Sequence, residues 1–339
     1  MKFDDKREEY LAQITLETSR IVLTQPILFL CGGRVDAQLV EPESVRGALV
    51  SHLNSAGCDL ATSITLAEEF KDWIHDSTYR DLLVFESDIA HISSLIIIIL
   101  ESAGALTELG LFVRNRALKN KILVFIHEKH YEENSFIKLG PLRHLQDIKD
   151  SSVCAYPWEK IPNTEKMDLK GSLKITLKEM RNDILKIVAE QDKSEQFNKD
   201  NEGHVSFVIF EIIRIFRALK LTEIENFLSK LGLNLPREKI KRLIFLLNKF
   251  KLVSMMKRGH VEYYYASTDS AKVDFAGKFE PTKAKLAAMQ FYITNDDTES
   301  KRLQVITAAY KTTQSPTVIP PIPPIPPIPP AIPKVGATA

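Results

Sequence analysis

The chain has 339 residues, enough for two ordinary domains, with 44% hydrophobic and 26% charged residues. That balance belongs to a soluble globular protein and excludes a disordered or fibrous one. Its formal net charge of +1 identifies no partner, because opposite excesses in two domains would cancel. Cys31, Cys58 and Cys154 lie far apart with no CxxC spacing, which argues against a disulfide framework or a metal site and for a reducing cytosol.

The N-terminal stretch MKFDDKREEYLAQITLETSR is charged and holds no apolar core of signal-peptide length. It reads as a polar amphipathic helix, the first segment, 1–25. ILFLCGG (27–33) is an apolar strand ending in two glycines, and a helical stretch follows at 42–57. Residues 62–92 are mixed and mostly helical. Leu95–Leu100 is six consecutive aliphatic residues with no alternation, as expected for a parallel strand buried on both faces. It is far too short for a bilayer, which takes about 20 apolar residues, so a cytoplasmic protein without membrane contact is expected. A turn ESAGA, a helix at 106–118 and a third strand KILVFI (121–126) come next. Strand and helix in alternation predict an α/β fold with a Rossmann-like parallel sheet over 26–160. Its ligands belong in the crevice at the carboxyl ends of the strands.

Residues 161–202 are charged and helical and read as a connector. From 203 to 270 the order is three helices and a hairpin turning at Lys257-Arg258-Gly259-His260, with Pro236 placed to start the third helix. This layout predicts a mainly α winged helix-turn-helix. Lys and Arg outnumber Asp and Glu here, and Arg237, Lys239, Lys241 and Arg242 fall near the start of the third helix, where a recognition helix meets nucleic acid. With Lys257 and Arg258 of the wing they form the candidate nucleic-acid surface; a merely solvated face is the alternative. A helical segment at 271–314 follows. The tail, 315–339, repeats Ile-Pro-Pro, which favours polyproline II.

Two strand ends carry the candidate chemistry. At Cys31-Gly32-Gly33 the glycines allow close approach of backbone to a ligand. Arg34 and Asp36 beyond them suit phosphate and hydroxyl groups, or simply water. At ESAGALTELG, Ala103, Gly104 and Ala105 let backbone pack against a ring or phosphate, and Thr107 and Glu108 occupy the first turns of the helix, facing the crevice. A plain reading of Glu108 also exists: an acid in a first turn gains about 0.3–1 kcal/mol from the helix dipole.

ILFLCGG, FESDIA, LIIIILESAGALTELGLF, KILVFI and SFIKLGPLRHL occur in this order. They resemble the effector (toxin) proteins of bacterial retrons, which join a nucleoside deoxyribosyltransferase-like domain to a C-terminal winged-helix DNA-binding domain. The resemblance covers about residues 27–145; the winged-helix region matches by layout, and the tail has no counterpart. It implies cleavage of an N-glycosidic bond, with Glu108 as the catalytic carboxylate that stabilises or attacks the oxocarbenium-like C1′. Glu101 and Ser102 would hold ribose hydroxyls, and the backbone of 32–33 and 103–104 would line the sugar or phosphate. Glu86 matches the glutamate of the family's LEN motif. Ser87 for Asn and Ala103 for Pro depart from the pattern and leave base recognition open. Gly140 and Arg143 either face phosphate or form a structural loop.

NAD suits this chemistry because nicotinamide is already cationic and leaves neutral, so no general acid is needed. No histidine is well placed as one: His52, His75 and His91 read as surface or buffering residues. NAD or another nucleotide is thus expected as substrate, with no cofactor. The resemblance further implies antiviral control by a reverse transcriptase and its branched DNA–RNA product (msDNA), and a homo-oligomer or larger assembly. Two alternatives stand: a nucleotide-sensing DNA-binding regulator without turnover, and a phosphoribohydrolase-like enzyme, whose PGGxGTxxE motif ESAGALTELG echoes.

Overall fold

Ile96 and Ile98 point to one side of their strand, and Leu95, Ile97 and Ile99 to the other, and all five are buried. This is what an aliphatic run without alternation requires: a strand with protein on both faces. The computed structural model describes residues 3–36, 39, 41–55, 60–66, 79, 81–115 and 118–314. Cys58, His75 and the tail 315–339 lie outside the described residues.

In chain order the elements begin with α1 (Arg7–Leu11), β1 (Ile14–Val22), β2 (Leu28–Cys31), α2 (Val45–Ser55), α3 (Leu60–Ser63) and β3 (Ile64–Leu66). Next are α4 (Leu82–Ile92), β4 (Leu95–Ile99), α5 (Ala103–Val113), β5 (Ile122–His127), α6 (Glu128–Glu132), α7 (Arg143–Ile148), β6 (Val153–Tyr156) and α8 (Leu173–Glu190). The remainder is β7 (Ser194–Gln196), α9 (Glu202–Phe216), β8 (Ala218–Leu219), α10 (Leu221–Lys230), α11 (Arg237–Lys249), β9 (Val253–Arg258), β10 (Val261–Ala266), β11 (Val273–Gly277), α12 (Pro281–Thr294) and α13 (Asp296–Gln314).

Five strands form a parallel sheet in the order β3-β2-β4-β5-β6. On one face lie α2, through Val45, Leu49 and Leu53, and α8, through Leu173, Leu177, Met180, Ile184 and Ile187. On the other face α4 and α5 contribute Phe85, Ile89, Ala105, Leu109 and Phe112, and their core runs on without a break into α9, α10 and α11. The third helix of the basic region begins at Arg237, directly after Pro236. Gly259, at φ 61°, makes the β9–β10 turn, a left-handed conformation that favours glycine.

Four expectations change. The 1–25 helix is confined to Arg7–Leu11, and Ile14–Val22 is a strand pairing antiparallel with β11 and β7. ITLETSRIV is rich in β-branched residues, and both of its partner strands lie more than a hundred residues away. The 161–202 segment is no simple connector, because α8 covers a sheet face. The 271–314 segment opens with strand β11 before its helices. Helix α5 starts at Ala103, three residues ahead of the predicted 106, because the Ser102 side chain caps it by accepting from the Ala105 N–H at 3.2 Å. The residues read as a turn are thus the first turn of the helix.

Candidate active site

Strand β2 delivers Cys31 to the carboxyl edge of the sheet, fully buried. Its thiol hydrogen-bonds to Glu108 of α5, and Glu86 of α4 lies within electrostatic reach. Burial pushes this thiol well above its ordinary pKa, and the Glu108 and Glu86 carboxylates push it further while Arg46 opposes them. The thiol is therefore a hydrogen-bond donor, not a nucleophile. Burial also raises the pKa of Glu86. Glu86 and Glu108, separate motifs in the sequence, are thus both brought within electrostatic reach of Cys31. Arg46, 2% exposed, adds a buried cation to this cluster; its Nη1 donates to the Leu30 carbonyl at 3.2 Å. The sequence reading missed Arg46. The available signal was an arginine inside the otherwise apolar VRGALV.

Glu101 does something other than expected. Its Oε1 accepts from the N–H groups of Gly33 and Arg46, both at 2.9 Å, and its Oε2 from Val45 at 2.7 Å. It caps the start of α2 and pins the glycine loop there, so both oxygens are committed to backbone donors rather than open to ribose hydroxyls. The glycines are there for space. A Cβ on Gly33 would lie 2.7 Å from Ser44 Cβ and 3.0 Å from Glu101 Cδ, and one on Gly32 would lie 3.0 Å from Arg46 Cβ. Ser102, besides capping α5, donates to the Gly32 carbonyl at 3.3 Å. Ala103, Gly104 and Thr107 are exposed, and the Thr107 hydroxyl donates back to the Ala103 carbonyl at 3.0 Å.

Beside this loop opens a cavity of about 290 Å³, lined by Gly33, Arg34, Ser44, Glu101, His127, His130, Trp158 and Lys160 among others. Arg34 is 60% exposed at its rim, 3.8 Å from Asp36. His127, at the end of β5, has Nε2 2.9 Å from the Trp158 carbonyl and Nδ1 3.1 Å from the Lys129 N–H. Neither His127 nor His130 was singled out from sequence, since nothing in their spacing connects them to CGG; strand order does. Arg143 is exposed at the start of α7 and lines neither this cavity nor its neighbour. Gly140 lines that second cavity, of about 530 Å³, with Val113, Phe136 and His144. The LGPLR motif is therefore not brought to the CGG loop.

In the basic region the cations near the start of the third helix each sit beside a carboxylate. Arg237 pairs with Glu225 at 2.8 Å, Lys239 with Glu202 at 2.7 Å and Lys241 with Glu238 at 3.1 Å. Arg242 Nε lies 2.7 Å from Asp88 Oδ2 on α4, close enough for charge pairing though not aligned as a hydrogen bond. Lys257 and His260 at the hairpin tip are exposed, Arg258 partly so.

By fold and site this is a parallel α/β protein with a cluster of carboxylates around a buried thiol at its carboxyl edge, built onto a basic helical unit. The model of the family described as STM3845 retron effector protein matches residues 42–255, and the chain belongs to that family. The matched span includes Glu86, Glu101, Glu108 and helices α9 to α11, and begins beyond the CGG loop. Over 219 residues the chain is 28% identical to the Escherichia coli protein named for ribosyltransferase and DNA-binding roles in retron Ec73, covering 60% of this chain and 66% of that one. Over 127 residues it is 32% identical to the like-named Escherichia coli protein of retron Ec86, covering 37% and 39%. The matches thus span just under two thirds of the first relative and well under half of the second. Among the described residues no helix is long and apolar enough to cross a membrane.

Proposed function

We propose that this retron effector cleaves the N-glycosidic bond of NAD or another nucleotide, with Glu108 as the catalytic carboxylate. The observation that carries the reading is the meeting of Glu108, Glu86 and Cys31 at the sheet's carboxyl edge, beside a glycine loop whose Cβ positions are filled by neighbours. On this reading the Rossmann-like sheet is of the nucleoside deoxyribosyltransferase type and the α9–α11 unit with its hairpin is a winged helix.

Two carboxylates in unlike surroundings divide the work. Glu108 faces the C1′ carbon and stabilises or captures the positive charge that develops as the base departs. The Cys31 hydrogen bond holds its orientation. Glu86, raised by burial, is the group that keeps a proton for a purine base leaving as an anion; nicotinamide leaves neutral and needs none. The 290 Å³ cavity, with Arg34, Lys160 and His130 at hand, takes the phosphate side of the nucleotide. Names of the E. coli relatives support a ribosyl-transfer chemistry. Association with a reverse transcriptase and its msDNA, and assembly into an oligomer, extend the proposal from family membership.

The test is base release. Purified protein is incubated with NAD and a nucleotide panel, and the freed base is identified by chromatography. Glu108→Gln should abolish release with the circular dichroism spectrum unchanged; release at the parent rate would refute the assignment. The rival, a ligand-binding DNA regulator, predicts nucleotide-dependent duplex binding and no free base from the parent protein.

A further inference from the structure

Helix α4 serves two neighbours at once. Glu86 and Asp88 are two positions apart, about 200° around a helix with 3.6 residues per turn, so their carboxylates leave opposite sides. Glu86 lies within electrostatic reach of Cys31, the thiol that Glu108 also meets. Asp88, only 4% exposed, accepts from the Tyr79 hydroxyl at 2.8 Å and faces Arg242 of α11 across 2.7 Å. The same guanidinium lies over the Tyr79 ring, 5.8 Å from its centroid, and that ring packs on Phe85 of α4 and Phe245 of α11. Near the other end of α4, helix α9 begins so close that a Cβ on Gly203 would fall 2.3 Å from the His91 carbonyl oxygen. Lys239 of α11 holds Glu202 of α9 at 2.7 Å, completing the brace.

We propose that Arg242 is a positioning residue for the active site, its pairing with Asp88 setting the rotation and depth of α4 and thereby the place of Glu86, and that it is not a nucleic-acid contact. Removing the half-buried Arg242 leaves the buried Asp88 carboxylate uncompensated. The helix must then move or Asp88 must take up a proton, and either change reaches Glu86 within one turn. The inference rests on Glu86 and Glu108 being the reacting site, but the clamp itself is a property of α4 that can be read without turnover.

The experiment compares the full-length parent protein with Arg242→Met, Arg242→Lys, Asp88→Asn and the Met/Asn double variant. Amide exchange over 82–92, followed by mass spectrometry, should quicken in Arg242→Met and Asp88→Asn alike. The double variant should go no further than either single one, the mark of a shared interaction. With a purine nucleotide, kcat in Arg242→Met should fall on the order of 10- to 100-fold with KM little changed, and Arg242→Lys should recover part of it. Nucleic-acid affinity and its salt slope should be those of the parent. Unaltered exchange in α4, or a salt slope reduced by about one with α4 exchange unchanged, overturns the proposal and returns Arg242 to the nucleic-acid face. If Arg242→Met fails to fold, the Lys and Asn variants carry the same comparison. Absence of base release from the parent would refute the enzyme reading, while the exchange data would still decide the clamp.

Discussion

Glu101 Oε1 and the Gly33 N–H are 2.9 Å apart, and this bond, sixty-eight positions long in sequence, ties the end of β4 to the loop after β2. A carboxylate that looked like a ribose ligand is instead the anchor of the loop. Glu101→Gln keeps the shape but puts an NH2 at one of two oxygen positions that each accept from backbone N–H groups, so at least one donor is left unmatched. Leaving a buried donor unmatched costs about 1–3 kcal/mol, so the urea midpoint should fall accordingly. A variant as stable as the parent would show the carboxylate to be idle.

Gly33→Ala tests the same loop sterically. The new Cβ would meet Ser44 Cβ at 2.7 Å and the Glu101 carboxyl carbon at 3.0 Å, neither the free end of a flexible chain. Overpacking of this kind costs about 1–3 kcal/mol, and the displaced loop should cost base release as well. By contrast, a Cβ on Gly104 would come no closer than 3.8 Å to Ser102 Oγ, so Gly104→Ala, in the first turn of α5, should hold or slightly raise the thermal midpoint.

The pH dependence of base release should depend on the leaving group. Burial raises Glu86 above the ordinary carboxylate pKa, so its protonated form is lost as pH rises through that elevated value. With a purine nucleotide kcat should fall over that window, and Glu86→Gln should remove the fall along with most of the rate. With NAD the profile should lack this limb. Identical profiles for both substrates would remove Glu86 as the proton donor.

A second pH effect belongs to stability. Burial alone would raise Glu223, but Arg302 and Arg7 outweigh it and hold its pKa below the ordinary glutamate range; the ion pairs are 2.8 Å each. A depressed acid stabilises the fold above its unfolded pKa and gives that stability up as pH falls through its folded value. Glu223→Ala leaves two buried guanidinium groups short of a partner, an expected loss of about 3–5 kcal/mol near neutrality. The deficit should shrink in denaturation curves as the pH is lowered below the ordinary carboxylate range and through the depressed pKa of Glu223. A deficit constant with pH would mean that packing, not charge, is what the residue supplies.

Cys31 should resist alkylation in the folded protein. It is fully buried and its thiol is held protonated by burial and by Glu108, whereas reaction needs exposed thiolate. Peptide mapping after iodoacetamide at pH 8 should find it modified only once urea is added. Rapid labelling of the native chain would contradict the burial of Cys31.

The sequence alone determined the buried strand Leu95–Ile99, the glycine loop that follows β2 and the succession of helices from 202 to 249, because each is written in local signals: an aliphatic run, paired glycines, a helical period with a proline at its start. Local signal also marked Glu101 and Glu108 as unusual acids, while Glu86 stood out only through the family resemblance. What each does was decided only by the tertiary structure. Strand β1 depends on β11, which begins 251 residues after β1 ends, and β3 and β6, three and four residues long, are strands only because the sheet's edges hold them. Glu101 reads as a ligand until the start of α2 takes up both its oxygens. Arg237, Lys239, Lys241 and Arg242 read as one basic face until Glu225, Glu202, Glu238 and Asp88 are folded against them. Charge pairing is set by distance in space, and chain order records only which charges are available to pair.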